Sequence, residues 1–164
     1  MKKDEFQERV LDLRRVTRVV AGGKRFRFRA TVVVGDGKGR VGVGVAKGLD
    51  VASSVAKARL EGKKSLVIFA LKDGRTIAHE VYAKYSAAKV LVKPARKGSG
   101  LKAGGAVRSV LALAGVKDAS AKCLGRTPNK LTNALAAVEA LRQLKPEIRS
   151  TKPETKPTIE KQTS

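Results

Sequence analysis

From Gly23 to Ala30 the chain alternates basic and aromatic residues: Lys24, Arg25, Phe26, Arg27, Phe28, Arg29. In a strand this period of two puts Arg25, Arg27 and Arg29 on one face and Phe26 and Phe28 on the other. One face is then free to build a core. The other carries guanidinium groups, whose planar fork of donors matches phosphate oxygens. Arg14, Arg15 and Arg18 occupy the strand-like run just before it, and Gly22 and Gly23 form the link. Lys38 and Arg40 border a second glycine cluster, GDGKGRVGVG, which no helix follows directly and which therefore reads as a hairpin turn with a basic tip. A third cluster, LVKPARKGSGLKAGGAVR, holds Gly98, Gly100, Gly104 and Gly105 with Arg96, Lys97 and Lys102 ahead of a predicted helix. Helix N-termini attract anions. A nucleotide cradle, however, ends Gly-Lys-Ser/Thr and this loop ends Gly-Gly-Ala, so an RNA or protein contact is the expectation.

Few other residues offer chemistry. His79 and Glu80 are adjacent, so on a strand they face opposite ways, and no second histidine or nucleophile accompanies them. A surface or structural role is expected, and no enzyme. Cys123 has Lys122 beside it, which would depress its pKa, but a lone buried thiol is the commoner arrangement. One Cys and one His cannot make a structural zinc site. No metal, cofactor or small-molecule substrate is expected. Tyr82 and Tyr85 suit either stacking on bases or packing between domains.

Charge narrows the partner. Lys and Arg number 36 against 14 Asp and Glu, a net charge of +22. The excess is ten in residues 1–70, ten in 71–144 and two in the remainder. Both halves therefore favour a polyanion. No apolar run approaches the ~20 residues of a membrane span, and no basic amphipathic helix stands out, so nucleic acid is preferred to a membrane. The opening MKKDEFQERV lacks the apolar stretch of a secretory signal, and a cytoplasmic location is expected.

These residues need a scaffold. The expected plan is a polar extension (1–9), a first domain (10–70), a second domain (71–145) and a disordered tail (146–164). Strands are predicted over 10–20, 24–34 and 40–46, then a helix over 51–64 capped by Asp50, with Val51, Val55, Ala58 and Ala52 along one side. Gly42, Gly44 and Gly48 in the third strand imply close backbone approach, to RNA or to that helix, or else a bulge. Lys72-Asp73-Gly74-Arg75 reads as a hairpin between 65–70 and 76–81. Further strands are predicted over 88–93 and 117–124. Helices are predicted over 105–114, ended by Gly115, and from Thr127 as N-cap and Pro128 to about 144. Leu131, Leu135, Val138 and Leu141 are its expected buried side.

Three segments carry a family resemblance: VVAGGKRFRFRATVVVGDGKGRVGVGVAKG, LVKPARKGSGLKAGGAVRSVLALAGV and LGRTPNKLTNALAAVEAL. In this order and spacing they resemble the bacterial small-subunit ribosomal protein S-five family over roughly residues 10–145. The resemblance implies an α+β protein. Its amino-terminal domain would be double-stranded-RNA-binding-like, with a three-stranded antiparallel sheet plus a helix, and its carboxy-terminal domain a left-handed βαβ unit. It implies binding to small-subunit (16S) ribosomal RNA, contacts with the fourth and eighth small-subunit proteins, and a place near the mRNA entry channel. Support of subunit assembly and translational accuracy would follow. By position, Gly22, Gly23 and Lys24 would form a loop reaching RNA, with Arg15, Arg25 and Arg27 on adjoining strands. Gly100 and Arg108 would meet the fourth protein. Ala21 stands where a Lys is common, and Arg96-Lys97 replace a usual Ser-Glu, which makes the loop more basic.

The resulting reading is a ribosomal, RNA-binding structural protein. A free-standing double-stranded-RNA-binding factor or RNA chaperone is the first rival, but it would leave the basic second half unexplained. A βαβ kinase is the second rival, and the chain lacks its phosphate loop.

Overall fold

The computed structural model describes residues 6–144. The expected tail, 146–164, and the first five residues of the expected extension lie outside the described residues. Among the described residues two four-stranded sheets make the architecture. In the first, β1 (Gln7–Val20), β2 (Gly23–Gly35), β3 (Arg40–Gly48) and β4 (Val67–Ile68) lie in chain order, all antiparallel. Helix α1 (Val51–Lys64) covers one face. In the second, the order is β5 (Val81–Tyr85), β6 (Ala88–Pro94), β8 (Ala119–Cys123) and β7 (Leu101–Lys102). Strands β7 and β8 are parallel and joined through α2 (Gly105–Leu113), a βαβ unit, while α3 (Lys130–Arg142) packs on β5 and β6. The α+β class and the βαβ character match the expectation. The first sheet gains a short fourth strand from the run 65–70, which pairs with β3 and not with 76–81 as expected.

Strand β1 starts at Gln7 rather than Val10, because Gln7, Glu8 and Arg9 pair with Gly35, Val34 and Val33. Polar residues are tolerated there because the ladder is made by the backbone. A register shift between Val10 and Asp12 marks a bulge in this long strand.

The seam between β3 and α1 explains the glycine-rich strand. Helix α1 buries Ser54, Ala58 and Gly62, one small residue per turn. A Cβ on Gly44 would be driven into the Ala58 carbonyl and the Gly62 amide, and one on Gly42 into the Gly62 carbonyl. The close approach is therefore to the following helix. It also displaces the expected apolar stripe, since Val51 is exposed and Val55 only half-buried, while Ala58 is fully buried. Asp50 is the N-cap as expected, with its backbone N–H donating to the Ser53 hydroxyl (3.3 Å).

The two halves share one apolar cluster. Val33, Val41, Val43 and Phe69 from the first half join Val107, Val110, Leu111 and the Ala-rich face of α3. The GDGKG turn locks them together by capping α2. Gly37 N–H donates to the Leu113 carbonyl (2.9 Å) and Gly39 N–H to that of Ala114 (3.0 Å). These are carbonyls that a helix C-terminus leaves without partners. Gly115, at φ +90°, then turns the chain so tightly that a Cβ would collide with Gly37.

Two local expectations change. Residues 72–76 form a tight turn with a single Lys72–Thr76 bridge, and the long hairpin of this half instead turns at Ser86-Ala87, between β5 and β6. Ser86 adopts φ +53° without glycine. Helix α3 is capped by Asn129, whose side-chain oxygen accepts the Leu131 N–H (3.1 Å), two residues beyond the expected Thr127. Thr127 instead accepts the Asn129 N–H at its hydroxyl and an Asn133 side-chain N–H at its carbonyl.

Candidate nucleic-acid interface

The β1–β2 register sorts the basic residues. Residues directly opposite on antiparallel strands share a face. Arg14 faces Arg29, Val16 faces Arg27, and Arg18 faces Arg25, while Lys47 of β3 extends the Arg29 row. One face of the hairpin thus carries Arg14, Arg18, Arg25, Arg27, Arg29 and Lys47. Val16, Arg18, Arg25, Arg27, Lys47 and Leu49 line a groove of about 510 Å³ along it. Arg14 holds Asp12 (2.6 Å); among the described residues no carboxylate lies within 4 Å of Arg18, Arg25, Arg27, Arg29 or Lys47. Like charges placed directly opposite across a sheet repel, so the isolated protein leaves this face electrostatically frustrated.

Arg15 falls on the other face. It lies opposite Phe28, and its guanidinium stacks 4.5 Å above the Phe26 ring. The phenylalanines do not build the core as the alternation suggested. Phe26 is exposed, and the cluster under α1 begins at Ala30. The hairpin projects past that helix, and Arg15 supplies the cover. Gly22, Gly23 and Lys24 sit exposed at the far turn, with Val19 opposite Lys24.

Lys38 is exposed on the capping turn, remote from the hairpin end in sequence and register. Arg40 is given a structural task. Its Nε donates to Asp36 (2.6 Å) and its guanidinium lies 5.4 Å from the Phe6 ring. Asp36 also accepts the Lys38 and Arg40 backbone N–H groups. Burial pushes the Asp36 carboxyl up, but these hydrogen bonds outweigh it and hold it below the usual carboxylate range.

The loop bearing Arg96 and Lys97 is organised by a residue that sequence reasoning passed over. Asp118 is buried just ahead of β8 and binds three distant groups. Arg75 Nε donates to one carboxylate oxygen (2.9 Å), and the Gly98 and Gly100 amides donate to the other (3.1 and 3.0 Å). The Arg75 hydrogen bond, seconded by that of Gly100, lowers its pKa. The available signal is that Asp118 is the only carboxylate between Glu80 and Glu139. Lys97 is exposed on the loop, Gly100 is pinned within it at φ +70°, and Arg108 is exposed on α2. Lys102 belongs to another surface, the open face of the second sheet.

A group whose folded pKa is depressed stabilises the fold above its unfolded value, about 3.9 for Asp, and loses that effect as pH falls through the lower folded value. Melting temperature should therefore be level from pH 7 to about pH 5 and drop below pH 4. Asp118→Asn should lower it by several degrees at pH 7 and flatten the acid limb, as read by circular dichroism. Asp118→Ala should in addition open the loop to trypsin at Arg96 and Lys97.

The remaining candidates resolve simply. His79 is exposed, and exposed Glu80 pairs with Lys93 (3.1 Å). Cys123 is half-buried, and burial raises its thiol pKa against the pull of Lys122. Tyr82 and Tyr85 are exposed rather than packed between the halves. No group of metal-binding side chains occurs among the described residues, and none of their helices is long and apolar enough to cross a membrane.

Fold and surface together define a basic α+β scaffold that presents fixed cationic faces. Comparison with known proteins gives it a family. The family described as ribosomal protein S5, N-terminal domain, matches residues 6–69, and ribosomal protein S5, C-terminal domain, matches residues 83–148. The small ribosomal subunit protein uS5 of Synechococcus elongatus is 51% identical over 144 residues, covering 88% of this chain and 79% of that protein. That of Gloeobacter violaceus is 51% identical over 141 residues, 86% and 63% of the two chains, and uS5c of Rhodomonas salina 49% over 144 residues, 88% and 85%. The chain belongs to the ribosomal protein S5 family, a structural and non-enzymatic family of the small ribosomal subunit.

Proposed function

We propose that this chain binds small-subunit ribosomal RNA chiefly through the β1–β2 hairpin, and so helps to fix RNA geometry during assembly and decoding. The observation that carries this is the uncompensated row of Arg18, Arg25, Arg27, Arg29 and Lys47 on one face of a projecting hairpin. Phosphate supplies the counter-charge that the protein itself withholds. Shape and backbone contacts are the usual terms of double-stranded RNA recognition, and a rigid two-stranded arm suits them. Gly22, Gly23 and Lys24 at the tip leave room for close approach to RNA, since nothing lies within 4 Å of a Cβ on either glycine. The halves 10–70 and 71–145 act as two basic domains, with Lys38, Lys97 and Lys102 as outlying phosphate contacts.

Gly100 and Arg108 are placed in this reading at a contact with the fourth small-subunit protein, beside the eighth and near the mRNA entry channel. The support is the rigidity that Asp118 gives the Gly98–Gly100 loop. Such a loop transmits a neighbour's position without absorbing it, which suits a role in translational accuracy. The test is sedimentation of a lysate on a density gradient at low and then high salt. Co-migration with the small subunit that survives the salt wash is expected. Recovery only in free fractions would overturn the ribosomal role in favour of a free RNA-binding factor.

A further inference from the structure

The second sheet buries one face and leaves the other open. Val81, Ala83, Val90, Val92 and Ala119 point into the shared core. On the opposite face the register aligns Tyr82, Leu91 and Lys122 across three strands. Lys84 and Lys89 form the next row toward the Ser86-Ala87 turn. On the other side lie Lys93, Ser120 and Lys102 across three strands. Among the described residues no helix covers this face, and Tyr82 and all five lysines on it are exposed. Glu80 pairs with Lys93; among the described residues no carboxylate pairs with Lys84, Lys89, Lys102 or Lys122.

We propose that this open face is a binding platform for single-stranded RNA, separate from the hairpin and independent of it. This face is nearly all cationic around a central aromatic ring. Single-stranded nucleic acid needs that pairing of a π-surface for a base with cations for the backbone. Half-buried Leu91, directly opposite Tyr82, widens the apolar floor beside the ring. The lysines lie in rows on both sides of the tyrosine, so a strand crossing the sheet keeps phosphates near ammonium groups while one base sits on the ring. Duplex RNA is excluded from this mode because its bases are already stacked. A protein partner is disfavoured, since interface cores are depleted in lysine.

The chain carries its own probe. It has no Trp and only two Tyr; Tyr82 lies on this face and Tyr85, opposite Ala88, on the other side of β5, so with Tyr85 replaced intrinsic fluorescence reports the site. In the full chain carrying Tyr85→Phe, the remaining emission comes from Tyr82. An oligouridylate of about ten nucleotides, within the usual span of such platforms, should quench it, and an RNA duplex of equal length should not. In a background of Arg18→Gln, Arg25→Gln and Arg27→Gln, which weakens the hairpin, Tyr82→Ala should reduce oligouridylate affinity about tenfold while Tyr82→Phe retains it. Replacing Lys84, Lys89 and Lys122 with Gln should lower the slope of log affinity on log salt by roughly two. Unchanged melting temperatures would establish that these surface variants fold. Absence of quenching, or equal quenching by duplex, or Tyr82→Ala and Tyr82→Phe behaving alike, would overturn the platform. Failure of the hairpin reading would show separately, as duplex affinity insensitive to the three arginine changes.

Discussion

Gly44→Ala should destabilise the protein by more than about 3 kcal/mol, and Gly44→Val should leave the first half unable to fold around α1. The size of the effect comes from what the new atom meets. The added methyl would meet the Ala58 carbonyl oxygen and the Gly62 amide nitrogen, both main-chain atoms of a regular helix. A side chain can rotate away from a clash, whereas a helix backbone has to move as a body. That movement would separate Ala58 from Ala30, Val32 and Val34, which together form the small cluster under α1. It would also strain the Ser65 hydroxyl bond to the Val43 carbonyl (3.0 Å) that ties the helix end to β3. With net stabilities of about 5–15 kcal/mol for a domain, such a loss is a large share of the total. Gly22→Ala is the control. Nothing lies within 4 Å of its Cβ and its φ is not positive, so its stability should stay within about 0.5 kcal/mol of the parent. Urea denaturation of the three variants measures the contrast. If Gly44→Ala unfolds at the same urea concentration as Gly22→Ala, the close helix–strand seam does not hold the fold together.

The same seam shows what was legible in the chain beforehand and what was not. Period-two alternation and the glycine turns reveal β1, β2 and β3, and Asp50 marks the start of α1, because each is a local signal. Three glycines in β3 announce a close approach without identifying the neighbour. The answer needs the complementary stripe Ser54, Ala58 and Gly62, which reads as indifferent composition until the helix is wound. The β5–β6 hairpin was obscured for a related reason. Its turn residue Ser86 takes a left-handed conformation that a sequence reader assigns to glycine, so Asp73-Gly74 drew the prediction instead. Asp118 gathers partners 18 to 43 residues away, and no local pattern encodes that. The lysine face is dispersed in the same manner over β5, β6, β7 and β8. Its alternation is visible within β6 alone, as Lys89, Leu91 and Lys93, and becomes a surface only through register. Likewise Arg15 looks like a member of the arginine row until pairing places it opposite Phe28.

Function and stability should respond in opposite directions when that row is neutralised. Replacing Arg18, Arg25 and Arg27 with Gln should lower affinity for a small-subunit RNA duplex roughly 10²–10³-fold at 0.1 M salt, and reduce the salt slope by about two to three. Each arginine removed leaves one phosphate without its protein cation, so binding releases about one fewer condensed counterion. Ordinary structural damage would lower stability at the same time. Here the expected change is a small gain, of about 0.2–1 kcal/mol, because Arg18 and Arg25 are directly opposed across the ladder and no carboxylate balances them. The gain should shrink as salt is added, since screening already relieves the repulsion in the parent. Arg15→Gln provides the internal comparison. Its side chain covers Phe26 on the far face, so it should cost stability and change the salt slope little. A triple variant that loses both RNA affinity and stability, or an Arg15 variant that matches it in salt slope, would mean that the face assignment drawn from the β1–β2 register is incorrect. The opposed signs are expected because an arginine row without carboxylates weakens the free protein and gains its counter-charge only when RNA is bound.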